Sequence, residues 1–347
     1  MNKLISFLSI IIFSGVALGQ STEPIMTQFY NTPLQINPAN AGLFAGRARI
    51  ISNFKRQWES IGEPFQTIAA SGDFQLARDV TGGDFFGMGI DINQDKAGIS
   101  ELSNLSANVS LSFTKAMDGR KSHFASVGFQ GGYGQRSIST SNINWGSQWT
   151  NTGFDPTIKT SDQALDESSS YFDMAAGVNY FYSRPDDAVK MYLGVAAYHL
   201  TQPKISFLGN DDEVIDRKFI VNGGLRYQFG RSENFSVYPN FLYAWQGPVN
   251  VLIYGSDLEY RISDGSRSTG TRKYTSFAVG VYHKWQQTIA PVVKLHKAGF
   301  SLYVTYEFEI GNITRVTNGQ GGMEVALKYR VDFRSGRNKK NINNAFL

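Results

Sequence analysis

Cysteine is missing altogether, which removes a disulfide framework, a thiolate metal or redox site, and the lipid-modified N-terminus of a lipoprotein. Histidine is scarce: four side chains in 347 residues leave little room for a metal or acid-base centre. No HExxH, no carboxylate pair grouped with a histidine and no GxSxG elbow occurs, so neither catalysis nor a metal nor a cofactor is expected. Long apolar runs are missing too. Nothing in the chain approaches the ~18–20 continuous apolar residues of a membrane-spanning helix. The net charge is only +4, with no Lys/Arg cluster interleaved with aromatics, and nucleic acid is not an expected partner.

What the chain does have is glycine and aromatics: 35 Gly, 25 Phe and 17 Tyr, the make-up of many aromatic-rich strands. Its first residues read as an export signal. Lys3 supplies the positive end, Leu4 to Ile12 the apolar run, and Ala17-Leu18-Gly19 the small-residue cleavage site, so that residues 1–19 are expected to be removed between Gly19 and Gln20. The mean hydropathy is negative, −0.25. A barrel averages out in this way, because residues facing lipid alternate with residues facing the lumen.

That alternation is the dominant pattern downstream. Phe300, Leu302, Val304, Tyr306 and Phe308 fall on one face, and Ser301, Tyr303, Thr305 and Glu307 on the other. In the next run Met323, Val325, Leu327, Tyr329, Val331 and Phe333 alternate with Glu324, Lys328, Arg330 and Asp332, an apolar face backed by an ionic one. A helix would scatter these charges around its circumference; a strand lines a polar lumen with them. Similar runs begin near Arg47, Phe65, Phe85, Leu102, His123, Tyr171, Val189, Arg217, Asn234, Val249, Tyr274, Thr288, Gly299 and Gly322. They predict an all-β, transmembrane antiparallel β-barrel of about 14 strands over residues 45–333, the even number that bacterial barrels require. Pro291 within Thr288–Leu295 and the weak patterning of Ala45–Phe54 are its least regular parts. Met117–Arg120, Arg184–Asp187, Gly230–Glu233 and His296–Gly299 read as tight periplasmic turns, Gln135–Glu167 and Leu200–Asp216 as long outer links. Ile262–Thr271 is long for a periplasmic turn, and residues 334–347 form a basic tail expected to stay in the periplasm.

One stretch, residues 20–44, lacks the alternation. Pro24, Pro33 and Pro38 oppose a regular strand or helix, while Phe29, Tyr30, Leu34 and Ile36 carry enough apolar surface to dock on something. It is expected to be ordered, irregular and packed in or against the barrel, lying in or across its mouth, with Asn and Gln side chains satisfying inward charges and free backbone. Gln28-Phe29-Tyr30, Pro33-Leu34, Asn37-Pro38-Ala39 and Ala41-Gly42 resemble the opening signature of the PorP/SprF family, outer-membrane proteins of the Bacteroidetes type IX secretion system and gliding machinery. His199-Leu200-Thr201-Gln202-Pro203 is similar to that family's mid-barrel segment, and Gly321-Gly322-Met323-Glu324-Val325 to its last strand. The resemblance implies a non-enzymatic, integral outer-membrane component that helps export a cognate surface protein or retains it at the surface. It also implies contact with outer-membrane lipid, periplasmic secretion-ring proteins and a large secreted protein. A passive transporter for hydrophobic or small polar solutes, with the N-terminal stretch as a plug, is the alternative.

Other residues invite chemistry and have plainer readings. Ser122-His123 suggests a surface hydrolase, against a strand start beside a turn. Asp91 and Asp95 bracket a segment that reads as a calcium loop or as a hairpin turn. Gly128–Gly134 superficially resembles a phosphate cradle, but opens no helix and is read as strand glycines making room for aromatics. Glu307, Glu309, Glu324, Lys328, Arg330 and Arg226 all point inward by parity, either to select solutes or to fill the lumen with ion pairs. Arg56-Gln57-Trp58 is placed in the first outer link, where Arg56 and Trp58 serve as a membrane-interface anchor or as a partner-binding rim. The Gln135–Glu167 link has the make-up of a recognition loop.

Overall fold

The computed structural model describes residues 23–331, apart from 45, 79–82, 99–100, 140–144, 156, 159–167, 208–212, 230–233 and 264–274. The export signal with Gly19 and Gln20, the tail 334–347, and most of the Ile262–Thr271 link lie outside the described residues.

Fourteen strands close into one antiparallel barrel, each bonded to its neighbours in the chain and the last to the first. They are β1 (Ala48–Gln57), β2 (Phe65–Arg78), β3 (Phe85–Ala97), β4 (Leu102–Ala116), β5 (His123–Ser137), β8 (Ser168–Ser183) and β9 (Val189–Tyr198). The circuit continues through β10 (Lys218–Phe229), β11 (Phe235–Gln246), β12 (Val249–Ser263), β13 (Thr275–Lys284), β14 (Thr288–Lys297), β15 (Phe300–Glu309) and β16 (Gln320–Val331). A small hairpin, β6 (Trp149–Thr150) with β7 (Gly153–Phe154), sits in the link from β5 to β8. The closing seam pairs Ala48 with Val331 through to Gln57 with Gly322, so no strand edge is left open within the wall.

Every strand places alternate side chains outward and inward. Met323, Val109, Phe129 and Ile90 are among the exposed apolar side chains, while Glu324, Ser110, Gln130 and Asp91, one position along, are buried. The outer face is thus a lipid-facing wall. The two ends differ: the link 199–217 lies at the loop end, and the two-residue turn Ala298–Gly299 at the turn end, where β1 begins and β16 finishes. Pro291 sits inside β14 and lacks the N–H a ladder needs. The β14–β15 pairing runs from Ile289–Phe308 straight to Val292–Thr305, and the Thr305 hydroxyl donates to the Pro291 carbonyl at 2.5 Å.

The core lies within the lumen. Ile25, Phe29 and Ile36 pack with Ile220, Leu242, Ile253, Tyr282 and Val292 of the wall, and nearer the turn end Leu43 packs with Phe85, Phe124 and Phe181. The inner face is therefore apolar in patches where a water-filled lumen would be polar throughout, because protein, not water, occupies it. Asp91 and Asp95 are a correction to the sequence reading: β3 continues to Ala97, so both carboxylates project into the lumen and the turn comes only at Gly98. Arg56 and Gln57 likewise belong to β1 and not to a link.

Candidate functional site

The site is the chain threaded through the barrel. Residues 23–44 enter beside the loop end and leave at the turn end, folded as three short turns: Phe29–Asn31, Pro33–Ile36 and Pro38–Asn40. Pro33 and Pro38 each stand first in a turn, where a missing N–H costs nothing, and Asn37 caps the third by accepting from the Ala39 N–H at 2.9 Å. The sequence reading put this segment in or across the mouth. Its course is longer, the full depth of the lumen.

At the loop end Glu23 lies 2.9 Å from Lys218 Nζ and 3.3 Å from His199 Nε2, and His199 Nδ1 lies 2.8 Å from Asp173. His199 is buried. Burial alone would depress its pKa, but Glu23 and Asp173 outweigh it and raise the imidazole to about 9. His199-Leu200-Thr201-Gln202-Pro203 forms the rim just beyond β9, not part of the wall. His199 and Gln202 both adopt positive φ (56° and 44°), and the Gln202 N–H donates to the His199 carbonyl at 3.0 Å. Pro203 receives the Ile215 N–H across the same link at 3.0 Å.

Deeper in, Lys55 holds two carboxylates, Glu307 at 2.6 Å and Glu324 at 2.7 Å, all three buried. Glu324 accepts the backbone N–H groups of Thr27 (2.8 Å) and Gln28 (3.0 Å), and Glu307 takes the Thr27 hydroxyl. The charges thus fasten the segment as well as each other. Trp58, in the left-handed region at φ 57°, turns its indole N–H to Glu309 at 2.8 Å and its ring edge to Phe65. Arg56 pairs with Glu59 in solvent at 3.0 Å.

Phe29 and Tyr30 join an aromatic group with Tyr282, and Lys294 stands 3.9 Å over the Tyr30 ring while pairing with Asp257 at 2.6 Å. Beyond it the wall satisfies the segment's backbone one group after another. Tyr198 donates to the Leu34 carbonyl (2.8 Å), Ser126 to Ala39 (2.9 Å), Ser112 to Ala41 (2.7 Å) and Gln75 to Gly42 (2.7 Å). Asn37 donates to the carbonyls of Val178 and Val195, spanning β8 and β9. At the turn end Arg49 grips Asp73 through two 2.8 Å bonds, and Asp73 also takes the Gly42 N–H at 2.9 Å.

Three wall glycines make this contact possible. A Cβ at Gly87 would lie 2.1 Å from the Ala41 carbonyl oxygen, one at Gly128 2.3 Å from the Ala39 nitrogen, and one at Gly177 2.1 Å from Asn37 Oδ1. Room for aromatics explains others, such as Gly134 under Tyr171, but these three make room for the threaded segment, Gly87 and Gly128 for its backbone and Gly177 for the Asn37 side chain. The sequence reading missed their role, and also missed Lys55, Arg49 and Asp73. Parity along β1 would have turned Lys55 inward with Asn53 and Ile51 had the strand been carried to Gln57.

Ser122 and His123 are neighbours on one strand edge, with Ser122 buried and His123 hydrogen-bonded through Nδ1 to the Tyr180 hydroxyl at 2.6 Å. Successive strand residues face opposite ways, so the pair forms no nucleophile–base dyad. Among the described residues no group of three or more His, Asp or Glu side chains could hold a metal ion.

The model of the family described as type IX secretion system membrane protein PorP/SprF matches residues 18–329 of the chain. A search of curated protein sequences returns no match. Among solved structures the chain is similar to the Ralstonia pickettii toluene transporter TbuX, at 11% identity over 87% of this chain and 94% of that one, with a TM-score of 0.49. A Pseudomonas aeruginosa FadL homologue is similar at 10% identity over 86% and 93%, TM-score 0.47. BamA from Haemophilus ducreyi is similar at 8% identity over 82% and 70%, TM-score 0.40.

Proposed function

The chain belongs to the PorP/SprF family of type IX secretion system membrane proteins and is an integral protein of the outer membrane, and from that premise we propose a non-enzymatic role in assisting export, or surface anchoring, of a cognate secreted protein. The observation that carries this reading is the occupied lumen. A channel for solutes needs a continuous wet path, whereas here Gln28, Phe29, Tyr30, Asn37, Pro38 and Ala39 are hydrogen-bonded to or packed against wall residues of many strands. That leaves the rims as the working surfaces. At the loop end Arg56, Trp58 and the link carrying the β6–β7 hairpin offer charge and aromatic edges, and Trp149, where the hairpin begins, is exposed. The turn end is the periplasmic side in this reading, where secretion-ring proteins make contact.

The experiment is affinity purification of the protein from native membranes with identification of the chains that come with it. Recovery of a large secreted surface protein together with periplasmic ring components supports the role. Recovery of lipopolysaccharide and general porins alone counts against it. Passive transport with a removable plug is the second reading, favoured by a cavity of about 190 Å³ inside the barrel that Phe29 and Tyr30 help to line. Deleting Thr27–Gly42 separates the two: a transporter gains single-channel conductance and keeps its cellular role, whereas an assembly component loses cargo display.

A further inference from the structure

We infer that the chamber beneath the threaded segment is a binding site for a carboxylate carried on an apolar body. A cavity of about 190 Å³ lies there, with Phe29, Tyr30, Ile36 and Phe44 of the segment on one side and the barrel wall on the other. The inference rests on the cavity's lining and not on any role in secretion; a barrel that exports nothing would still bind such a ligand.

The charge lining this chamber is lopsided. Cations reach it from three strands, Arg49 from β1, Lys294 from β14, and Lys328 and Arg330 from β16, while carboxylates come from β12 alone, as Asp257 and Glu259. Most of these are occupied. Arg49 is spent on Asp73 and Lys294 on Asp257, and Glu259 accepts hydrogen bonds from Tyr238 and Ser276. Lys328 is different: among the described residues no carboxylate lies within ion-pair distance of it, and its ammonium stands 5.0 Å from the centre of the Tyr303 ring. A half-buried cation facing an aromatic ring, in a chamber where Arg49 and Lys294 are already matched to carboxylates, is a place where an added anion meets attraction.

Two further groups point the same way. The Asn222 side-chain oxygen and the Tyr30 hydroxyl line the cavity, are buried, and have no hydrogen-bond partner among the described residues. Asn222 is only 3% exposed. Orphaned buried polar atoms cost free energy that a bound molecule can recover. The remaining lining near them is aromatic, Tyr192, Tyr238 and Phe181, which suits a flat or branched apolar group. The complement of this lining is a carboxylate for Lys328, an apolar body for the rings, and a donor for Asn222. A free aromatic acid has the first two, and the C-terminal residue of a peptide has all three.

The test is isothermal titration of the full-length protein in detergent with four probes: 3-phenylpropionate and its primary amide, and N-acetyl-alanyl-phenylalanine as free acid and as amide. Both acids are expected to bind saturably, one per chain, and the amides at least roughly tenfold more weakly, as one charge-assisted hydrogen bond implies. Lys328→Gln should weaken the acids by a similar factor and leave the amides unchanged. Lys96→Gln, an exposed change outside the cavity, should alter neither. Tighter binding of the peptide acid assigns the site to a chain terminus, and tighter binding of phenylpropionate to a free acid. The inference is overturned if acid and amide bind equally, if the acids bind Lys328→Gln as well as they bind the parent, or if neither acid shows saturable binding. The acid-to-amide comparison on the parent protein stands even if the variant fails to fold.

Discussion

Lys55 is the residue on which the lumen depends most. It is 1% exposed and lies between two buried carboxylates that also hold the segment's backbone. Removing the cation strands both negative charges, so Lys55→Met should lower stability by about 3–5 kcal/mol, and Lys55→Arg should restore part of it. The temperature at which the folded band is lost on unheated electrophoresis reads this directly; an unchanged Lys55→Met would show that the carboxylates have another partner. On the opposite face, Leu327 lies mid-strand and points to lipid at 57% exposure, so Leu327→Arg should cost roughly 2–4 kcal/mol while Lys328→Gln next to it is tolerated in folding. Equal loss at both positions in a membrane-assembly assay would refute the parity. Gly128 makes a third case. A side chain there cannot coexist with Ala39, whereas Gly131, on the outer face, has nothing nearer than the Phe172 ring at 3.5 Å. Gly128→Val should leave the barrel assembled but expose Tyr30 to protease, and Gly131→Val should not.

At the level of the element, the threaded segment folds on the wall and not on itself. Its turns are three or four residues long, too short to persist alone. Burial of Phe29, Leu34 and Ile36, worth roughly 1.5–3 kcal/mol each, must offset the entropy of ordering it. Its aromatic content made docking legible in the sequence, and its prolines made the irregular backbone legible. The depth of insertion was not, because that depends on wall glycines whose role appears only once the segment is seen against them. The clasp at its loop end should titrate. With Glu23 and Asp173 facing it and Lys218 beside Glu23, His199 carries a pKa near 9 when folded against about 6.5 unfolded. A raised pKa means the contribution is fully present below about 6.5 and is lost as pH rises through about 9. Protease cleavage near Glu23 should therefore increase across about pH 6.5–9 in the parent, the interval between the two pKa values, and become flat in His199→Gln. A parent that is equally flat would remove His199 from the clasp.

Taken whole, the barrel was legible because lipid enforces it. A strand with lipid on one side must alternate, and the run from Phe300 to Val331 states this so plainly that strand positions near Phe65, Phe85, Leu102, Val189, Val249 and Thr288 follow the residues themselves. The pattern faded where the lumen is filled with protein. In β1 the inward set Arg49, Ile51, Asn53, Lys55 mixes charge with a fully buried isoleucine, since part of it meets the segment's apolar side and part its backbone, and an alternation test averages the two away. The same mixing hid the inward course of Asp91 and Asp95. For the molecule as a whole the expectation is a closed pore: reconstituted parent protein should show little conductance, and deletion of Thr27–Gly42 should raise it while cargo display is lost. A conducting parent would mean that the segment leaves the lumen in the membrane.

The wall and the segment also constrain the order in which the protein can be assembled. β1 follows directly after the segment, whereas its partner across the seam, β16, is the last strand of the circuit. Contacts as close as those at Gly87, Gly128 and Gly177 leave no clearance for a chain with Asn37 and Phe29 side chains to slide through a finished ring. The seam therefore shuts last, around a segment already laid against β3, β5 and β8, so that residues 23–44 are enclosed as the sheet closes and are not drawn through it afterwards.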